Sequence, residues 1–584
     1  MTAMKKAITA IILVSLTVLG VILGISNQQP KDEVAILPSS SVPLDASFVK
    51  CQMKRVFDFS EKDPSEPIAP LFDNLGDHHF KITSNEAAQV FFDQGLRLIY
   101  AFNHSEAHRS FREAARLDPD CAMAYWGQAL ALGPNINDPN PDAERTTKAY
   151  EAATEAEQRA TGVSKLEKAL IKAIQSRQDS NPGTDRMSLN QAYVEAMAPV
   201  AAKYPENDEV QTLYAAALMN TMPWDYWDQQ GAPNEGTLVA KSSLEKAISI
   251  NPNHPGAHHY YIHMVELPDP DLAESSADQL GGLMPGAGHL VHMPAHIYIR
   301  IGRYRDARLM NVKAIEADED YISQCLSQGM YPLSYYPHNI HFLWSAASME
   351  GISEIALDAA NKTASRVPRD QVLTYSFMQD FLSTPLLSQV RFGKWNEILS
   401  TPTPEKEFKH VRIIWHYARG LAFVAKGDLG QAQEELETLQ AMATDPALEE
   451  LLANYNNPTS SIIPIAIHVL SGEMAAARGE TAKAIALLQK GVDFEDQLVY
   501  SEPTAWHIPV RQNLGAVLLQ SGKAAEAQKV YEADLEKNRE NGWSLFGLYQ
   551  SHLIQGHTKE SFEIKQRFNQ AWQEADVAIT SSRL

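Results

Sequence analysis

Small residues recur at helical spacings along most of this 584-residue chain. Between Phe91 and Pro119, Gly95 lies where two helices must cross closely. Ala107 and Ala114 face the partner helix, and Pro119 ends the unit. Small residues at crossings, with a proline after the second helix, are typical of stacked helical pairs. The pattern predicts an all-α solenoid in which every helix pair packs against its neighbours.

The same combination of glycine and alanine recurs further along the chain. It is found at Gly302 and Ala307, Gly351 and Ala356, Gly420 and Ala432, Gly472 and Ala484, and Gly515 and Ala527. In spacing and residue type these units resemble the tetratricopeptide repeat, a 34-residue helix–turn–helix. The resemblance covers most of the chain after about residue 88. It implies a right-handed superhelical solenoid of stacked helix–turn–helix repeats, whose first helices line a concave groove.

The sequence divides by pattern into segments with different expected roles. They are a signal or anchor helix (1-27), a tether and N-terminal extension (28-87), partly degenerate N-terminal repeats (88-254), histidine-bearing repeats (255-366), and C-terminal repeats with a cap (367-584). The amphipathic segment from Ser561 to Ala578 is predicted to be the helix that caps the array.

The first residues have the pattern of an export signal. Lys5 and Lys6 precede a chargeless apolar run from Ala7 to Ile25. The run is close to the roughly 20 residues that a membrane-spanning helix needs. We expect an uncleaved anchor that places the body on the periplasmic side of the inner membrane. The alternative is a cleaved signal, which would give a secreted protein.

Charge and cysteine content exclude several classes of function. The chain has 50 basic and 72 acidic side chains and a net charge of −22. Such a surface repels phosphate backbones, so no nucleic-acid partner is expected. The three cysteines, Cys51, Cys121 and Cys325, form no Cys-x-x-Cys pair and no disulfide framework.

Histidines are concentrated in one part of the chain. Eight of the 19 lie between His258 and His341. When the repeat register is set by glycine, alanine and proline alone, groove-facing positions are predicted for His259, His263, His289, His292, His296, His338 and His341. Histidines four residues apart share one face of a helix and can bind one metal ion. The sequence therefore predicts a transition-metal or catalytic site, with zinc, copper and iron all open. The alternative is a polar groove whose histidines hydrogen-bond a carboxylate or peptide ligand.

Two nearby residues modify this prediction. Glu266 follows the first histidine pair and is expected to complete the ligand shell, to orient a ligand histidine or to act as a catalytic base. Pro294 cannot donate a hydrogen bond within a helix. We therefore expect the middle helix to begin at about His292, with Pro294 in its first turn and His289 on the preceding loop.

Other polar and aromatic residues are candidates for a groove that binds substrate. They are Trp224, Asp225, Tyr335, Tyr336 and Arg511. Glu502 and Trp506 belong to a further polar-aromatic set, which is expected either to line the groove from across the superhelix or to pack in the ordinary way. Phosphate-binding loops, dinucleotide fingerprints and a nucleophile elbow are missing from the sequence.

Three histidine motifs also resemble those of a group of bacterial tetratricopeptide-repeat proteins. The motifs are HYYIH (259–263), GHLVHMPAHIY (288–298) and YPHNIH (336–341). This resemblance implies a fold and a place for the site, and it supplies no substrate. Two functions follow from the sequence: an exported metal-binding protein, with an enzymatic role left open, or a scaffold that binds a protein or peptide at the cell envelope.

Overall fold

The computed structural model describes residues 57, 59, 65–228, 230–323, 331–454 and 456–584. The chain divides after Val42, and all of the described residues belong to the second unit, Pro43–Leu584. The predicted signal or anchor (1-27), much of the tether, Cys51 and Cys325 lie outside the described residues. Cys121 is buried, and burial raises the pKa of its thiol to about 11.

The described part of the chain is helical and contains no β-strand. The first helices are α1 (Glu86–Tyr100), α2 (His104–Leu117), α3 (Ala122–Leu132), α4 (Ala143–Gln158), α5 (Lys165–Gln175), α6 (Arg186–Lys203), α7 (Asp208–Met219) and α8 (Thr237–Ile250). The central ones are α9 (Pro255–Val265), α10 (Glu274–Leu280), α11 (Gly288–His292), α12 (Pro294–Ile301), α13 (Tyr304–Ser323), α14 (Tyr336–Glu350) and α15 (Ser353–Ser365).

The C-terminal helices continue the same arrangement. They are α16 (Met378–Arg391), α17 (Trp395–Ser400), α18 (Lys409–Ala425), α19 (Leu429–Met442), α20 (Thr459–Ala477), α21 (Thr481–Glu495), α22 (Val510–Gln520), α23 (Ala524–Lys537), α24 (Gly542–Gln555) and α25 (Thr558–Ala571). Consecutive helices pack against each other along the array. The prediction of an all-α solenoid of stacked helix–turn–helix units is confirmed.

The ends of these helices are determined by short polar side chains and glycine. The side chain of Asn103 caps α2, and Ser164 forms a capping box with Glu167 at the start of α5. Gly302 ends α12 at φ 84°, and Gly351 ends α14 at φ 73°. Glycine adopts this left-handed conformation without a steric penalty, so it stops each helix and lets the chain turn to the next one.

The C-terminal helices also pack back onto the histidine-bearing ones. The indole nitrogen of Trp543 on α24 donates to the Ser348 carbonyl on α14 at 2.8 Å. Trp572 lies against Gly351, where a Cβ atom would collide with its ring. The expected capping helix therefore ends at Ala571 and not at Ala578, because Trp572 turns the chain inward.

One helix in the described ranges, α20, is long and apolar enough to cross a membrane by length and composition. More than half of its apolar window, 56%, is buried inside the protein, as in the core helix of a soluble domain. It lies near the C-terminal end and is not the predicted N-terminal anchor, so the membrane attachment stays a prediction.

The crossing of α1, α2 and α3 provides a test of the packing. A Cβ atom on Gly95 would lie 2.6 Å from the Phe111 ring, and one on Gly127 would overlap the same ring. Phe111 is fully buried and cannot move aside. We expect Gly127→Ala to lower the free energy of unfolding by about 1–3 kcal/mol.

The matched control for that variant is Gly430→Ala. Gly430 is exposed in the first turn of α19, where an added Cβ meets only ordinary van der Waals contact. This change should alter the stability by no more than about 1 kcal/mol, in the stabilising direction. Urea unfolding followed by circular dichroism measures both variants. Equal stability of the two would contradict the packing described for Phe111.

Candidate metal centre

Four helices bring the clustered histidines together. The histidines are His259 and His263 on α9, His289 and His292 on α11, His296 on α12, and His338 on α14. Pro294 is the first residue of α12, as expected for a proline in the first turn. The expected start of that helix at His292 is wrong, since His289 and His292 lie on the separate short helix α11.

The position of α11 depends on a close approach to α13. A side chain on Gly288 would collide with the Asp318 carboxylate. Asp318 accepts a hydrogen bond from the Tyr331 hydroxyl at 2.8 Å, and that hydroxyl accepts one from the His289 backbone N–H at 3.0 Å. Burial raises the pKa of Asp318 to about 7. These contacts fix the start of α11 and with it the position of His289.

The first group of histidines, which we call triad A, consists of His259, His263 and His289. One nitrogen of each ring lies within 4.8 Å of the other two. His259 Nδ1 donates to the Tyr100 carbonyl at 2.6 Å, and His263 Nδ1 lies 3.3 Å from Glu266 Oε1. Both acceptors fix the proton on Nδ1, so in the neutral ring the lone pair is on Nε2. These two Nε2 atoms face each other at 3.2 Å.

The second group, triad B, consists of His292, His296 and His338, and its nitrogens meet the same 4.8 Å limit. His292 Nδ1 lies 2.7 Å from Asn311 Oδ1. The Asn311 amide group donates to the Ala307 carbonyl, so its oxygen must face His292. His296 Nδ1 donates to Glu502 Oε2 at 2.7 Å. The Nε2 atoms of His292 and His296 lie 3.0 Å apart.

This pairing of Nε2 atoms requires a cation. Two neutral imidazoles with protons fixed on Nδ1 present lone pairs to each other, which is unfavourable in a buried site. A proton or a metal ion between them removes the conflict. Two nitrogens bound tetrahedrally at 2.0–2.1 Å from zinc lie about 3.3 Å apart. The observed separations of 3.2 and 3.0 Å are close to that spacing.

His289 adds a separate indication of a ligand. Its side chain is only 2% exposed, and neither ring nitrogen has a hydrogen-bond partner. A buried imidazole without any partner loses the free energy of its hydration. Its ring centroid lies 5.0 Å from that of His259. The unpartnered nitrogens of His289 therefore lie beside the ring nitrogens of His259 and His263 in triad A.

Glu266 links the two triads. Its Oε1 atom accepts from His263 of triad A, and its Oε2 atom lies 3.3 Å from His296 Nδ1 of triad B. Burial opposes ionisation of Glu266, but the neighbouring His263 and His296 outweigh it and lower its pKa to about 2. Both oxygens face Nδ1 atoms, away from the paired Nε2 atoms. This position favours an orienting role for Glu266 over the role of a base or a direct ligand.

The buried histidines differ in their protonation. Burial, reinforced by neighbouring histidines, lowers the pKa well below its usual value for His259, His289, His292 and His338. At His296 burial also opposes the charge, but Glu266 and Glu502 raise the pKa to about 10. A metal-free chain therefore holds a proton on His296 Nε2, directed at His292. A metal ion at that place would displace this proton.

Aromatic rings surround the triads, and the described residues around them leave one side partly open. Phe102 lies against His259 and His289, and Phe342 lies against His292 and His296. Tyr335 contacts His289 with ring centroids 4.5 Å apart, and Trp224 contacts His263 at 5.0 Å.

Trp224, Tyr335 and His338 form the partly open side. Trp224 is 42% exposed, while Tyr335 and His338 are partly exposed. The other five triad histidines are buried. We call these three residues the mouth of the site, because a ligand from solvent would meet them first.

Four predicted site residues lie elsewhere. The ring of His341 stacks on Trp344 at 4.9 Å, outside both triads, and burial lowers its pKa to about 3. Arg511 pairs with Asp496, and the hydroxyl of Tyr336 donates to Glu319. Asp225 is exposed and accepts from the Asn234 amide. These four residues are not among the side chains that meet in the two triads, since each has another partner, and their part in binding a ligand stays a prediction.

Several residues of the site carry no signal in the sequence. The Tyr100 carbonyl, Asn311 and Phe102 belong to other helices or turns and are common residue types. Glu502 does carry a signal, since its polar-aromatic set is expected either to line the groove from across the superhelix or to pack, and its contact with His296 spans 206 residues. Glu502 also accepts a hydrogen bond from the Tyr500 hydroxyl, and its Oε1 atom lies 3.7 Å from Arg300 Nη1.

A second histidine cluster, formed by His78, Glu209 and His254, lies behind Tyr100. Glu209 Oε2 lies 3.0 Å from His78 Nε2 and 3.3 Å from His254 Nε2. His254 Nδ1 accepts from the Ala257 backbone N–H, so its proton is on Nε2. The Tyr100 hydroxyl also donates to Glu209. These hydrogen bonds hold the Tyr100 hydroxyl at a cluster whose three side chains are also close enough together to hold a metal ion.

Comparison with known proteins finds distant likeness to solved helical structures. No family model and no curated protein matches the chain. Similar solved structures include the human IFIT1 dimer with m7Gppp-AAAA, at 12% identity over 84% of this chain and 91% of that chain, with a TM-score of 0.30. The yeast Tom70 has 12% identity over 81% and 90%, with a TM-score of 0.28.

A third similar structure is the TPR domain of P58(IPK), at 13% identity over 81% of this chain and 99% of that domain, with a TM-score of 0.22. Likeness at this level carries no argument about ligands. The chain's own stacked helical pairs define its class, which is a helical-repeat solenoid with a TPR-like fold. Membership of the bacterial group with histidine motifs stays a prediction.

Proposed function

We propose that this protein binds transition-metal ions in triads A and B. The observation that carries the proposal is the pairing of Nε2 atoms at 3.2 and 3.0 Å, with each Nδ1 proton directed outward to a fixed acceptor. Second-shell acceptors of this kind hold the tautomer and orientation of ligand histidines in metal sites. The unpartnered nitrogens of His289 support the same function.

The donor set limits the kind of metal. Six imidazoles surround the site, and the nearest carboxylates face the Nδ1 side of the rings. Imidazole suits zinc, copper and iron, whereas calcium and magnesium prefer oxygen ligands. The partly exposed mouth supports access of a ligand to the metal, so a metal-dependent reaction is compatible with the site. The export signal expected at 1-27 supports a location outside the cytoplasmic membrane.

The first test is elemental analysis of the chain purified without a histidine tag. We expect metal in near-stoichiometric amounts, and its loss from the double variant His263→Ala, His296→Ala, which removes one ligand from each triad. His468→Ala is the control, because His468 lies on α20 and donates to the Pro464 carbonyl. Metal-free wild-type protein that stays metal-free after supplementation, or equal metal content in all three proteins, would refute the proposal.

The second test concerns the carboxylate that links the triads. Glu266→Gln keeps the size of the side chain but removes the charge that polarises His263 and His296. We expect metal affinity to fall about 10–100-fold, the usual effect of losing a second-shell partner. Competition with a chromogenic chelator measures the affinity. Glu274→Gln on the exposed start of α10 should leave it unchanged. Unchanged affinity in Glu266→Gln would exclude this residue from the metal centre.

We propose as a second function the binding of a protein partner at the C-terminal helix pair. Leu553 and Ile554 on α24 and Phe562 on α25 are 55%, 59% and 63% exposed. Large apolar side chains that are exposed together on one helix pair of the described structure are favourable for association with a partner. This function is compatible with metal binding at the triads.

Phe562→Glu tests the second function. The wild-type chain, immobilised and exposed to membrane extract, is expected to retain a defined partner that the variant loses, because a charge opposes burial in an apolar contact. Leu373→Glu is the control, as Leu373 is 62% exposed and lies in the connection between α15 and α16. Retention of the same partner by both variants would exclude this surface.

A further inference from the structure

We propose that triads A and B form one dinuclear copper centre whose ions bind dioxygen between them. The inference rests on the proposed metal binding and goes beyond it by assigning the metal, the pairing of the ions and the ligand. Four observations carry it: the contacts between triads, the shared carboxylate, the ligand set and the mouth.

The triads are in direct contact with each other. The rings of His263 in triad A and His296 in triad B have centroids 5.6 Å apart. The rings of His289 in triad A and His292 in triad B are stacked at 5.9 Å. Each triad thus touches the other through two of its members. These ring contacts place the two triads side by side, and in two-metal protein sites neighbouring ions act on the atoms of one ligand.

The supporting groups are shared as well. Glu266 contacts His263 of one triad and His296 of the other with its two oxygens. A displacement of this carboxylate would change the orientation of ligands in both triads. The two groups therefore behave as one structural unit and not as two separate sites on neighbouring repeats.

The ligands favour copper. Each ion would have three neutral imidazoles, and the cysteine that the structure describes, Cys121, belongs to the buried core. The carboxylates of Glu266 and Glu502 face the outer nitrogens of the rings. Among divalent first-row metals, copper binds nitrogen sites most tightly, and imidazole suits it. Three ligands per ion leave positions free for a further ligand.

The surroundings favour a small, uncharged ligand. Phe102 packs against triad A and Phe342 packs against triad B. At the mouth, the rings of Trp224 and Tyr335 contact triad histidines directly. Dioxygen is small and apolar enough to enter such a site, and the apolar walls exclude water from the ions.

The binding step is balanced without any further reactant. Two copper(I) ions each lose one electron, and the dioxygen molecule gains both. The reduced dioxygen then bridges two copper(II) ions, and no proton is taken up or released. The imidazole ligands stay neutral throughout, and four of the six, His259, His263, His292 and His296, are held by outward Nδ1 hydrogen bonds.

The test uses the full chain loaded anaerobically with copper(I) and then exposed to dioxygen. We expect two coppers per chain and uptake of one dioxygen for every two coppers. A separate sample loaded with copper(II) should show an electron paramagnetic resonance signal far weaker than its copper content, because two close copper(II) ions couple magnetically.

Single-triad variants provide the matched comparison. His289→Ala and His338→Ala each remove one ligand from one triad and leave the other intact. Each should keep one copper with a full mononuclear signal and should lose dioxygen uptake. The copper retained in the intact triad also shows that the variant is folded. His468→Ala should behave as the wild type does.

The outcomes separate this inference from the proposed function. Two coppers with a full, uncoupled signal would overturn the dinuclear centre and leave metal binding in place. A coupled pair that takes up no dioxygen would overturn the assigned ligand. A folded wild-type chain that binds no copper but binds zinc would overturn the assigned metal, and one that binds no metal would overturn the proposed function itself.

Discussion

The outward hydrogen bonds of the buried histidines determine the chemistry of this protein. His259 and His292 donate from Nδ1 to a backbone carbonyl and an amide oxygen, and His263 and His296 donate to carboxylates. Each bond fixes a tautomer and a ring orientation, and together they turn the Nε2 atoms towards each other. In a buried site this arrangement is unfavourable without a cation, so the hydrogen bonds and the proposed metal depend on one another.

The repeat fold supplies the distant partners that these bonds need. Tyr100 is the last residue of α1, Asn311 lies on α13, and Glu502 lies in the connection between α21 and α22. A stacked array places these segments around α9, α11 and α12, although Glu502 and His296 are 206 residues apart. The C-terminal helices pack onto α14 through Trp543, and this contact holds in place the helix that carries His338. The site is therefore a property of the whole array and not of one repeat.

Sequence periodicity was sufficient to predict the helices and all six histidines that meet at the site, among seven that it placed there. It failed for His341, three residues after His338, because that step rotates a side chain by about 60° and is enough to direct it to Trp344. It could not identify the Tyr100 carbonyl, since any residue type supplies one. Arg511 and Tyr336 are residue types that can bind a substrate. In the structure Arg511 pairs with Asp496, and the Tyr336 hydroxyl donates to Glu319.

X-ray absorption at the metal edge of the tag-free, metal-loaded chain tests the central claim most directly. The account predicts a first shell of about three nitrogens per ion at about 2.0–2.1 Å, with the outer scattering of imidazole rings. A first shell dominated by sulfur or by carboxylate oxygen, or metal bound without imidazole scattering, would contradict it.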